Sequence, residues 1–213
     1  MKKTFLFIAI ISLALFCFGQ REIKNGVVID KQAEKIITNA GSKLKLESPI
    51  SLTFSLNNKN KKKTEKGSLT FSGNKYIVSY SDNKVFCDGK TVWVYQKETN
   101  EVNISNVEGS ENEVLNISKF ISEANNKFRS KLIREENGNY IIDLLPKTKS
   151  EFSKVRLKIN KQTSRISSME VNYKGGNVYS YSISNYKTKV KIKDSGFAFS
   201  KKDYPTANLI DLR

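Results

Sequence analysis

Leu69–Tyr80, LTFSGNKYIVSY, and Asp82–Ile104, DNKVFCDGKTVWVYQKETNEVNI, form the stretch whose reading decides the fold. Apolar and polar residues alternate through Leu69, Phe71, Tyr76, Val78 and Tyr80, and again from Val92 to Tyr95, which is the period of strands with one dry face. Turn residues punctuate the alternation at Gly73-Asn74, Asp82-Asn83 and Asp88-Gly89. The pattern predicts an antiparallel meander.

The same signal extends outward. In Ile50–Leu56 the side chains of Leu52, Phe54 and Leu56 share one face, while Ser51, Thr53 and Ser55 share the other. Gly67–Phe71 repeats the pattern across the lysine-rich run Lys59–Lys66, read as a solvated hairpin loop in preference to a docking site. Upstream, Ala33, Ile36, Ile37, Ala40 and Leu44 recur at helical spacing behind Asp30, a favoured N-cap, so a helix is predicted from Lys31 to Leu46. Gly41 weakens it by about 1 kcal/mol relative to alanine, and Pro49 stops it. From Asn106 to Arg129 alternation gives way to acidic, amide-rich sequence with scattered apolar residues, read as two short helices capped by Asn116 or Ser118. Strand signals resume at Ser130–Arg134, Tyr140–Leu145, Lys154–Ile159, Ser167–Tyr173, Tyr179–Tyr186 and Phe197–Phe199. The total is about ten or eleven strands, a mainly β (α+β) chain. A sheet of that size with one wet and one dry face curls towards a barrel, and helices must cover its dry concave side.

At the N-terminus, Lys2 and Lys3 precede an apolar run from Phe5 to Phe18 that is short for a membrane span and closes on Cys17-Phe18-Gly19. This is the form of a secretory signal peptide, residues 1–19, cut after Gly19 to leave Gln20 at the start of a single domain, residues 20–213. The competing reading is a lipoprotein signal acylated at Cys17, which the bulky Phe16 disfavours. The rest of the chain is long enough for a sizeable core. It keeps a single cysteine, Cys87, which cannot form an internal disulfide and reads as a small apolar strand residue.

Histidine is absent, and with it the usual general base, proton shuttle and commonest metal ligand. No nucleophile elbow, phosphate loop, paired-carboxylate or multi-cysteine pattern occurs. No cofactor and no metal are expected. Basic residues outnumber acidic ones, 37 to 21, for a formal net charge of +16, which the loss of Lys2 and Lys3 would lower by two. In an exported protein this field favours anionic lipid headgroups or acidic protein patches over nucleic acid. The alternative is that scattered lysines simply keep a protein with an apolar cavity in solution.

The segment Asp88, Gly89, Lys90, Trp93 and Tyr95, a D-G-K-x-x-W-x-Y element between an aromatic-ended strand and a further strand, resembles the LolA-type outer-membrane lipoprotein carriers. The likeness extends through Leu144–Lys147 (LLPK), VRLKIN and its hairpin, and the F-x-F of GFAFSK before the tail. The resemblance implies an unclosed antiparallel half-barrel with a helical lid over an apolar cavity. It further implies a monomeric carrier that takes the acyl chains of lipoproteins from an inner-membrane lipoprotein-releasing transporter. Delivery would be to an outer-membrane acceptor or an anionic membrane surface, and no catalysis is involved.

By the same resemblance Val78 and Tyr80 face bound lipid. Alternation adds Phe54, Leu56 and Phe71 as lipid-contact candidates, and the lid segment adds Leu115, Phe120 and Ile121. Ordinary core packing is the competing reading of each. Trp93 and Tyr95 share a face and read as structural. Many members of the family carry Arg-Pro where this chain has Gly73-Asn74, an arginine that ties lid to barrel. Here that latch is missing, with Lys75 the nearest substitute and only a point charge. Two other classes stay open: an envelope sensor that binds lipid or lipopeptide, and an enzyme on envelope lipid or glycan, with Asp88, Glu101 and Asp143 as its candidate carboxylates.

Overall fold

The computed structural model describes residues 21–24, 27–61, 63–107 and 116–213. The expected signal peptide and Leu115 lie outside the described residues.

A hairpin of β1 (Arg21–Lys24) and β2 (Val27–Asp30) leads into helix α1 (Lys31–Glu47). Asp30 does two things at this junction. One carboxylate oxygen caps α1 by accepting from the Ala33 N–H at 2.9 Å, and the other accepts from the Leu132 N–H at 2.9 Å, anchoring the helix start to the sheet. The predicted helix is thus observed, with Ala33, Ile36, Ile37, Ala40 and Leu44 on its buried face.

A twelve-stranded sheet follows. β3 (Ile50–Asn58), β4 (Lys63–Ser72), β5 (Lys75–Tyr80), β6 (Asn83–Cys87), β7 (Thr91–Gln96) and β8 (Glu101–Asn106) form the meander read from the sequence. Helix α2 (Ile117–Lys127) interrupts. A second meander then runs through β9 (Phe128–Glu136), β10 (Asn139–Pro146), β11 (Phe152–Asn160), β12 (Ile166–Tyr173) and β13 (Val178–Lys187). The two meanders join where β13 pairs antiparallel with β3, and a last strand, β14 (Asn208–Asp211), adds in parallel to β8. The spatial order is therefore β14-β8-β7-β6-β5-β4-β3-β13-β12-β11-β10-β9, with ends that do not meet. The sheet is an open half-barrel, and α1 and α2 lie together as a lid on its concave face, where one apolar core runs from Ile50, Leu69 and Val78 through Leu157 and Ile142 to Phe120 and Ile121.

Two expectations are corrected. Within Asn106–Arg129 one helix, α2, is described, capped by Asn116 through the Lys119 N–H at 3.0 Å, and 108–115 lie outside the described residues. Phe197–Phe199 is not a strand: Phe197 closes a 3-10 turn, Asp194–Phe197, after which the chain crosses the convex face. The F-A-F alternation there serves aromatic packing. Phe199 and Tyr204 stack at 5.2 Å, and both reach Phe86, at 6.0 and 6.1 Å, while Tyr204 also contacts Tyr95 at 4.5 Å. Trp93 and Tyr95 belong to this second cluster with Val102, Ile104 and Ala207, on the side away from the lid.

Candidate lipid-binding site

The space between lid and sheet is built from alternate residues of five strands. Leu52 of β3 opposes Leu69 of β4, which opposes Val78 of β5. On the other side of β3, Phe54 opposes Ile183 of β13, and Tyr181 opposes Met169 of β12. These residues, with Ile117 of α2 above them, close around a cavity of ≈ 40 Å³ that no charged group among the described residues lines. Gly67 makes room for one wall. It stands opposite Phe54, and a Cβ there would fall 2.4 Å from Phe54 Cζ and 2.6 Å from the Ser79 carbonyl oxygen, so only glycine lets the ring lie across β4.

Of the residues expected to meet lipid, Phe54 and Val78 line this cavity. Leu56 and Tyr80 are half-buried against the same core, and Leu56 also lines an outer groove. Phe71 is 2 % exposed and sits in register between Ile50 and Tyr76, beyond the cavity. Ile121 turns towards Gly41 of α1, and Phe120 packs on Phe128 with ring centroids 5.4 Å apart. Leu52, Leu69, Ile117, Met169, Tyr181 and Ile183 complete the wall. Their alternation marks the strand members as dry-face residues, but their convergence depends on the β3–β13 pairing between segments more than a hundred residues apart, which has no local signal.

The outer groove opens at the end of the sheet where β3 leaves and β13 begins. It measures ≈ 550 Å³ and is lined by Leu56, Tyr173, Tyr179 and Tyr181, with Glu151, Lys174, Gly175 and Asn177 at its edge. Tyr173 makes edge contacts with Phe152 at 5.2 Å and Tyr179 at 5.6 Å. Tyr181 lines both the groove and the inner cavity and tilts against Phe54 at 6.1 Å, so it stands between the two spaces. Burial pushes the Tyr181 phenol above its ordinary pKa, which keeps it neutral.

The lid is held by amide and carboxylate contacts. Asn116, besides capping α2, donates from Nδ2 to the Asn74 carbonyl oxygen at 3.5 Å, and Asn125 of α2 donates to the Glu34 carbonyl oxygen of α1 at 3.0 Å. Lys75 is not a lid latch: its Nζ lies 2.7 Å from Asp194 Oδ2 and ties the C-terminal segment to β5. At the far end of α1, Glu47 accepts from Arg165 Nη2 at 2.6 Å and Nε at 3.0 Å, and also from Lys43 at 3.1 Å. The Arg165 hydrogen bonds, working against desolvation, hold the Glu47 carboxyl below the usual range.

The candidate catalytic carboxylates do not converge. Asp88 accepts from the Lys90 and Thr91 N–H groups at 2.9 and 2.8 Å in a turn, Glu101 begins β8, and Asp143 forms a two-pronged pair with Arg156 at 2.6 and 2.9 Å. Cys87 is fully buried, and burial raises its thiol pKa, so it is a packing residue and not a nucleophile. Among the described residues no cluster of three or more Cys, Asp or Glu could hold a metal, and no helix is long and apolar enough to cross a membrane.

No curated protein matches the chain in sequence. Solved structures do match in shape. An uncharacterized conserved protein from Thermus thermophilus superposes with TM-score 0.55 at 12% identity, over 82% of this chain and 98% of that one. A candidate outer membrane lipoprotein-sorting protein domain from Vibrio parahaemolyticus gives 0.49 at 14% identity, over 82% and 98%. A LolA superfamily protein from Nitrosomonas europaea gives 0.46 at 14%, over 78% and 97%. The family model for the outer membrane lipoprotein carrier protein LolA matches residues 53–200, from the middle of β3 past the aromatic turn at Phe199. The chain therefore belongs to the LolA family.

Proposed function

We propose that residues 20–213 are a carrier that takes lipoprotein acyl chains between the concave sheet and α2 and moves them across the periplasm from the inner to the outer membrane. The observation that carries this is a cavity lined, among the described residues, by apolar side chains and a tyrosine, directly beneath a lid helix. Hydrocarbon gains about 0.8 kcal/mol for each methylene moved out of water, so a chain in transit needs a wall of this chemistry. A reaction would need polar groups converging on the cavity, and the carboxylates at hand are spent on turns and ion pairs.

The cavity as it stands is far below the roughly 300–1,000 Å³ of ordinary ligand pockets. Loading therefore requires α2 to lift from the sheet, with Phe54, Val78, Met169 and Ile183 becoming the floor under the chain. Tyr80, Leu56, Phe71, Phe120 and Ile121 extend that floor and lid as the site widens. A lipoprotein-releasing transporter in the inner membrane and an acceptor in the outer membrane are the implied partners, and export by residues 1–19 places the chain between them.

A fluorescent fatty-acyl probe tests the reading. It should bind the mature chain and be displaced by a triacylated lipopeptide but not by the same peptide without its acyl groups. The lipopeptide should be recovered chemically unchanged. Recovery of a deacylated product, or displacement by the bare peptide, would overturn the carrier.

A further inference from the structure

Three hairpin loops meet around the outer groove. Asn60 in the β3–β4 loop donates from Nδ2 to the Gly176 carbonyl oxygen at 3.2 Å, and the Lys59 N–H reaches the Val178 carbonyl oxygen at 3.0 Å. The Lys174 N–H in the β12–β13 turn bonds the Glu151 carbonyl oxygen of the β10–β11 loop at 2.9 Å. The loops are thus one connected rim, and each projects an exposed lysine: Lys61, Lys149 and Lys174. None of the three forms an ion pair among the described residues. The nearby carboxylates are Glu151, which edges the groove, Glu65, which opposes Leu56 in register and accepts from Ser81 Oγ at 3.1 Å, and Glu170, already held by Lys59 at 2.6 Å.

Inside this basic rim the wall is tyrosine and leucine, and it continues past Tyr181 into the apolar cavity. Tyrosine rings settle at headgroup depth, apolar body inward and hydroxyl to water, and lysines around them meet anionic phosphates. An acidic soluble protein would satisfy the lysines and leave the groove's hydrocarbon wall without a counterpart, whereas a bilayer supplies both.

We propose that this end of the molecule docks on an anionic phospholipid bilayer, with Lys61, Lys149 and Lys174 on headgroup phosphates and the tyrosine-lined groove at the interface. On the carrier reading above, on which this last step rests, the groove is then the port through which an acyl chain passes between bilayer and cavity, with Tyr181 as the gate.

Co-sedimentation of the mature chain with phosphatidylcholine vesicles, with and without phosphatidylglycerol, tests the docking. Binding should require phosphatidylglycerol and weaken with salt. Lys61→Gln/Lys149→Gln/Lys174→Gln should weaken it roughly a hundredfold. Lys187→Gln/Lys191→Gln/Lys193→Gln, which removes the same charge from exposed lysines at the opposite end of β13, should leave it nearly unchanged. Equal loss in the two variants would mean that net charge alone binds, which would overturn the docking surface. Absence of binding by the unaltered chain, or a rim variant that loses a polyglutamate peptide while keeping vesicles, would each overturn the proposal as well. Probe displacement by lipopeptide without vesicles reads the carrier function separately, so vesicle docking that persists without lipopeptide binding sinks that function and leaves the docking standing.

Discussion

Glu47 closes α1 by reaching Arg165 in the β11–β12 hairpin, and Arg165 in turn lies over the Tyr186 ring at 4.6 Å. With its side chain 10% exposed, this carboxylate is nearly shielded, while the Arg165 side chain is 35% exposed, so the pair is stronger than a surface bridge and weaker than a buried one. Its folded pKa is depressed, so its contribution is present above the ordinary carboxylate pKa and is lost as pH falls through the lowered value. Glu47→Gln should therefore cost about 1.5 kcal/mol at neutral pH, with the difference from the unaltered chain vanishing in urea titrations once pH falls below the lowered pKa. Nothing local in the sequence announces this pair, because its members are more than a hundred residues apart. Asp30, by contrast, is legible as an N-cap, since a cap needs only the three residues that follow it. Gly67 falls between these cases. A glycine inside an alternating strand signals close approach, but the ring that approaches, Phe54, is known only once β3 and β4 are set in register.

In the proposed carrier, the element on which loading turns is α2. Ile117, Phe120 and Ile121 of its buried face are legible in the sequence as apolar residues in a helical stretch, whereas Ala124 and the attachment of the helix are not. The β4–β5 turn here is Gly73-Asn74, with no charged side chain, and the lid's link to it comes from the Asn116 amide on the Asn74 backbone. A backbone acceptor leaves no trace in side-chain identity. Asn116→Ala removes both the helix cap and this tie, so α2 amides should lose about 1 kcal/mol of protection in hydrogen exchange, a factor of roughly five, while the strands keep theirs. Acyl-probe exchange should quicken in the same variant. Unchanged protection across Ile117–Lys127 would show that Asn116 is not the tie. The turn-punctuated strands were legible for a simpler reason: a short turn fixes both partners of a hairpin, and the links from β4 to β8 are two residues at 73–74 and 81–82, three at 88–90 and four at 97–100, so these strands follow from their own alternation.

At the scale of the molecule, the sheet divides its labour between faces. The concave face holds the lid and cavity, and the convex face of the first meander is covered by the C-terminal segment through Phe199 and Tyr204, with β14 extending the edge at β8. The F-A-F pattern suggested a strand because alternation shows that two side chains share a face without showing whether a neighbour pairs with the backbone. This separation makes a prediction. Tyr204→Ala should cost about 2–3 kcal/mol by uncovering Phe86 and Tyr95, yet leave acyl-probe affinity within about twofold, because the cluster is on the far side of the sheet from the cavity. A parallel loss of binding would join two faces that the structure keeps apart. The most direct test of the central claim uses a triacylated lipopeptide carrying a diazirine at the end of one acyl chain, photo-crosslinked to the mature protein and mapped by mass spectrometry. Crosslinks should fall on concave-face residues such as Phe54, Val78, Met169 and Ile183 and on α2 at Ile117, whereas labelling confined to the convex cluster around Phe86 and Tyr204, or none above that of a deacylated control, would contradict a carrier that shelters acyl chains beneath its lid.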